Sequence, residues 1–217
     1  MAYVRIAISD YEKIKKQMDG LKNAPAKVMK NLTSDAKTRV PGWVATEVTK
    51  VYGIKKSEIT GKKVGSMRVV GNGFKDLKFI YAGRLLTTTH FGMTPKAPKP
   101  GGGYTLKYRV LNKTQSKVKK LTKKQRKELA KNFSRQGPHT SDHSPIMLMH
   151  TGNARIDGTN YIPFQRKSKD RNDIQAIKTV SLPQMVSNRS VQLQIQEAIN
   201  DGLGKRLEHY LNRNMPK

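Results

Sequence analysis

Apolar residues recur at an unbroken interval of four near the end of the chain: Val191, Ile195, Ile199, Leu203, Leu207 and Leu211. This spacing predicts a closing helix of about five turns. Four residues turn a helix through roughly 400°, so a stripe of this kind drifts about 40° at each step. Either Ala198 and Tyr210 widen the buried face, or the two ends of the helix meet different partners.

At the other end, Val4, Ile6 and Ile8 alternate with Arg5 and Ala7, the period of a short first strand. Ser9 and Glu12 then have capping-box spacing, and Tyr11, Ile14, Met18 and Leu21 follow at helical intervals. A second helix is predicted from Asn23 as N-cap, with Pro25 in its first turn and Val28, Leu32 and Ala36 along one face. Pro41 predicts a break, because proline removes a backbone donor and turns Val40 away from the helical conformation. The helix should restart with Val44, Val48 and Val51, and Trp43, the sole tryptophan, reads as a core residue.

The middle of the chain changes period. Residues 54–59 have room for one helical turn, and Gly61, Gly65, Gly71 and Gly73 bracket a short strand over 67–70. Leu77, Phe79 and Tyr81, then Tyr104, Leu106, Tyr108 and Val110, alternate with polar or smaller neighbours as half-buried antiparallel strands do. The Pro- and Gly-rich stretch 94–103 between them is a loop, as is 135–145, and further strands are predicted over 147–150, 161–165 and 174–182. The sum is an α+β fold: a small antiparallel sheet packed by long N-terminal and C-terminal helices.

Length changes this picture little, since 217 residues suit one substantial core. We expect a single domain over 1–217 carrying a basic, flexible insertion over 113–145. Charge changes it more: 43 Lys and Arg stand against 15 Asp and Glu, a net +28. Copies of such a chain repel one another, so it should work beside something anionic. With no cysteine, disulfides and thiolate metal sites are excluded. The N-terminal apolar stretch is too short for a signal peptide and no run approaches a membrane span, so no membrane role is expected.

The densest charge lies in 107–135, with twelve Lys or Arg against Glu128 alone. Residues 118–130 look helical there but have too few apolar positions to hold a helix onto a core. Lys119, Lys120, Lys123, Lys124, Arg126 and Lys127 are the candidate contacts to phosphate or to acidic protein. No base-reading motif accompanies them, so contact with nucleic acid should be indifferent to sequence. His139 and His143, with Asp142, could suggest a metal-dependent nuclease, but ligands in a Gly-Pro-Ser loop lack a rigid second layer to orient them, and solvated histidines are the preferred reading. No phosphate-binding loop, serine elbow or dinucleotide fingerprint occurs, so neither an enzyme nor a cofactor is expected.

The segments Met147-Leu-Met-His-Thr-Gly-Asn153, Ile162-Pro-Phe-Gln-Arg166 and Ile174-Gln-Ala-Ile-Lys-Thr-Val-Ser-Leu-Pro-Gln-Met-Val186, followed by the closing helix, resemble the minor tail protein Z family of tailed phages. The order of elements is similar too: a leading helical stretch, a short basic piece at 53–60, a small sheet and a terminal helix. The 107–145 segment and Pro41 depart from the family's pattern. The resemblance implies a tail-completion protein of the virion neck, assembled in the host cytoplasm as a ring such as a hexamer. Its implied neighbours are the tail terminator, tail tube and head-connector proteins, with phage DNA passing close by. Leu203, Leu207 and Leu211 are the candidate intersubunit contacts. The competing expectation is a free, sequence-non-specific nucleic-acid-binding protein.

Overall fold

A computed structural model describes residues 2–7, 16, 25–98, 105–119, 146–150, 161–166 and 173–214. Within them the chain is α+β, and it divides into two compact units. The first unit gathers Met1–Val51, Lys56–Arg84 and Ser181–Lys217; the second comprises Tyr52–Lys55 and Leu85–Val180.

The first unit is built on two long helices, α1 (Pro25–Val51) and a terminal helix (Arg189–Asn214). Along α1, Val28, Leu32, Ala36, Val40, Val44 and Val48 step by four and are all fully buried. The terminal helix answers with Val191, Ile195, Ile199, Leu203 and Leu207, none more than 2% exposed. Ridges with a four-residue step on both partners are the commonest way helices interlock, and these two pack on each other.

The expected break at Pro41 does not occur: α1 runs through it. An interior proline costs about 3 kcal/mol, whereas each buried Val or Leu contributes about 1.5–3 kcal/mol, and the ladder continues on both sides of residue 41. The packing outweighs the local penalty. Drift of the terminal stripe is resolved by widening the face. Tyr210 is buried at 8% exposed, while Leu211 is only half-buried.

A three-stranded sheet completes the first unit in the order β1 (Ala2–Ala7), β3 (Lys78–Gly83), β2 (Ser66–Val70). Both pairings are antiparallel, with Val4 and Met67 opposite Tyr81 and Ile6 and Val69 opposite Phe79. Phe79 and Tyr81 are buried, and Lys78 on the other face is exposed. A one-and-a-half-turn helix, α2 (Lys56–Thr60), follows α1, close to the predicted turn over 54–59. Another short helix, α3 (Leu182–Ser187), replaces the predicted end of the strand at 182. Ser181 and Gln184 cap it reciprocally, Pro183 sits in its first turn, and Leu182, Met185 and Val186 are buried. The terminal helix is therefore α4.

In the second unit, β5 (Thr105–Leu111) and β6 (Thr114–Lys119) form an antiparallel hairpin. The predicted helical segment over 118–130 begins as strand instead: Val118 and Lys119 close β6, opposite Leu106 and Thr105. A second sheet orders β7 (Ile146–His150), β8 (Tyr161–Arg166) and β9 (Ile174–Ala176), and β4 (Leu85–Thr87) pairs with β10 (Lys178–Ser181). The single predicted sheet is thus several small ones. Met93, Leu106 and Leu148 form a small core, against which Tyr108, Tyr161 and Ile177 pack. Gly53 fits here for a steric reason. Its N–H donates to the Val110 carbonyl, and a Cβ would lie 2.1 Å from the carbonyl oxygen of Arg109.

Candidate polyanion interface

The alternation that makes β5 a strand also sorts its chemistry. Leu106 is buried and Tyr108 half-buried on the core side, where burial pushes the Tyr108 phenol up from its ordinary pKa. Lys107 points to the opposite face and is exposed, and Arg109, at the register shift between Tyr108 and Leu111, is exposed as well. Across the hairpin, Lys117 is exposed directly opposite Lys107 in the register. Lys113 lies in the connecting turn.

No acidic residue occurs in 105–119, so the ribbon presents one sign of charge. Like charges directly opposite one another destabilise a strand pair by up to about 1 kcal/mol. Here the strands are held by their other face and by Thr94, which exchanges two 2.8 Å backbone hydrogen bonds with Lys107. The repulsion is tolerated and becomes attraction when an anion lies along the ribbon.

Lys107, Arg109, Lys113 and Lys117 all fall within the densest charge of the sequence, 107–135, but the candidate contacts named there begin only at Lys119. Of the candidate contacts, Lys119 ends β6. Lys120, Lys123, Lys124, Arg126 and Lys127 lie outside the described residues, as do His139 and His143. Among the described residues no three His, Asp or Glu side chains gather as a metal site.

The candidate intersubunit leucines have a different place. Leu203 and Leu207 are each 2% exposed within the single chain, so packing inside the first unit already uses their side chains. Leu211 keeps part of its surface. Between them, α4 is tied to α1 by a polar link. Arg206 Nε and the Tyr210 hydroxyl, the latter at 2.8 Å, both donate to Asp35 Oδ2. Arg39 adds its charge to the same carboxylate at 3.6 Å. Leu193, at 67% exposed, is the most open large apolar residue described on α4.

Among the described residues no helix is long and apolar enough to cross a membrane. Searches of protein-family models, of curated proteins and of solved structures find nothing that matches the chain.

Proposed function

We propose that this chain is a non-enzymatic structural protein of the tail and neck of a tailed-phage particle. It completes the tail for head joining and genome passage, assembles as a ring, and binds protein neighbours and DNA. The observation that carries the reading is the closing segment: residues 174–186, the last of the three segments that with the closing helix resemble minor tail protein Z, lead through β9, β10 and a capped α3 directly into the long helix α4. That is the sheet-then-terminal-helix order the family implies. A net charge of +28 supports a place beside polyanions.

The test is imaging of particles made without this protein. Headless tails or unattached heads are expected, and normal infectious particles would overturn the reading. A second reading, a free nucleic-acid-binding protein, is favoured by the Lys107–Lys117 juxtaposition. It predicts binding to DNA outside any particle, weakening with salt at a log-log slope of about −0.9 per phosphate contacted. A flat slope leaves the ribbon to acidic protein.

A further inference from the structure

The loop joining β2 to β3 in the first unit contains Asn72-Gly73, the sole Asn-Gly pair of the sequence. In such a pair the backbone nitrogen of the second residue can close a five-membered ring onto the side-chain carbon of the first. An intramolecular nucleophile of this kind needs no partner, only the freedom to reach its attacking geometry. Glycine supplies that freedom, because it has no Cβ to shield its nitrogen and few backbone conformations are closed to it.

The fold leaves this freedom intact. Residues 71–77 lie between the end of β2 and the start of β3, outside any helix or strand. Asn72 and Gly73 are both exposed. Among the described residues the Asn72 carboxamide makes no hydrogen bond, and the Gly73 N–H donates none. The loop is anchored just beyond the pair, by Phe74 at 2% exposed and by Asp76 N–H donating to the Gly73 carbonyl at 3.3 Å.

Other positions are restrained where this one is not. Asn31 and Asn212 stand within α1 and α4, Asn188 accepts hydrogen bonds from Ser190, and Asn200 accepts one from Gln196. Asp201-Gly202 could form the same ring in a flexible chain. It lies inside α4, however, where the Gly202 N–H belongs to the helical ladder and Asp201 holds Lys205 at 2.8 Å.

We infer that Asn72 is a site of spontaneous deamidation, modified by its own backbone without an enzyme. The Gly73 nitrogen gives its proton to solvent and bonds to the Asn72 side-chain carbon. The bond from that carbon to the amide nitrogen breaks, ammonia leaves with a proton from solvent, and a succinimide joins the two residues. Water then opens the ring. Attack at the side-chain carbonyl leaves aspartate, and attack at the main-chain carbonyl leaves isoaspartate, so one carboxamide and one water become one carboxylate and one ammonia. Either product puts an acid into the cleft of about 550 Å³ between this loop and α1, whose lining has none. Isoaspartate also lengthens the backbone by a methylene immediately before the buried anchor Phe74.

The test holds the full chain in neutral buffer, follows every asparagine by peptide mapping and separates the chains by ion exchange. Asn72 should convert first, to a mixture of aspartate and isoaspartate, and each modified chain should carry one positive charge fewer than the starting +28. Gly73→Ala should abolish the conversion. A Cβ at residue 73 meets nothing within 4 Å, so this variant has room to fold as before, and an unchanged thermal unfolding curve verifies that it does. A peptide of residues 70–77 supplies the rate without the fold. Conversion more than about tenfold slower in the folded chain than in the peptide would mean that the loop holds Asn72 away from attack, and would overturn the proposal. Undiminished conversion in Gly73→Ala, or faster conversion at another asparagine, would overturn it as well.

Discussion

The indole of Trp43 on α1 lies against the backbone of Gly202 on α4, so closely that a Cβ at residue 202 would stand 2.5 Å from the ring. Helix propensity favours alanine over glycine by about 1 kcal/mol, but inserting a methyl group into filled space typically costs about 1–3 kcal/mol. The steric cost should win. Gly202→Ala is expected to lower stability by about 1–2 kcal/mol, seen as an earlier urea midpoint with altered tryptophan fluorescence. Adding Trp43→Leu should recover part of the loss; a more stable G202A protein would contradict the contact.

Asp35 predicts the acid limb of stability. Burial works to raise its pKa, but hydrogen bonds from Tyr210 and Arg206 and the charges of Arg206 and Arg39 outweigh it, so the carboxyl sits below its ordinary value. A group lowered on folding stabilises above its unfolded pKa, near 3.9 for aspartate, and that stabilisation disappears as pH falls through the folded value. Unfolding measured between about pH 2 and 6 should therefore show a steeper loss for the native chain than for Asp35→Asn. Asp35→Asn should be the less stable of the two at neutral pH, and parallel curves would count against the link.

These two relationships separate what was legible in the sequence from what was not. The α4 stripe is readable because its interval never breaks, and the handover from Leu211 to Tyr210 follows from the 40° drift as one of two open outcomes. Pro41 is the reverse case. The local rule predicts a break, and only the partner ladder on α4, some 150 residues away, explains why α1 continues. Helix α3 had its signals in plain view, Ser181, Pro183 and Gln184, but they sit at the end of an apolar run that reads as strand. The pairing of Asp35 with Arg206 spans 171 positions and has no local signature.

Tyr81 tests the core from inside. Its hydroxyl is buried with no hydrogen-bond partner among the described residues, and burial pushes the phenol well above its ordinary pKa. An unsatisfied buried hydroxyl costs about 1–3 kcal/mol. Tyr81→Phe is therefore expected to be neutral or to raise stability by up to about 1 kcal/mol, measured by chemical unfolding. A clear destabilisation would mean that the hydroxyl has a partner.

The hairpin allows stability and binding to be set against each other. Lys107→Glu places opposite charges across from each other at the Lys107–Lys117 position and should stabilise the strand pair by about 0.2–1 kcal/mol. The same change should weaken DNA binding and reduce its salt slope by about 1 or more. Thermal unfolding and a binding titration on one preparation check both signs. Tighter DNA binding by the variant would remove the ribbon from consideration.

The first unit draws its helices from distant stretches of the chain: α1 is made early, and α4, which covers its buried ladder, is the last described element. During synthesis at about 5–20 residues per second, the valines of α1 therefore emerge many seconds before the surface that will shield them. Until then the nascent chain presents an uncovered apolar stripe flanked by lysines, a natural substrate for chaperones. A transcript cut short before residue 189 would leave that stripe permanently open, so incomplete products should aggregate or be degraded.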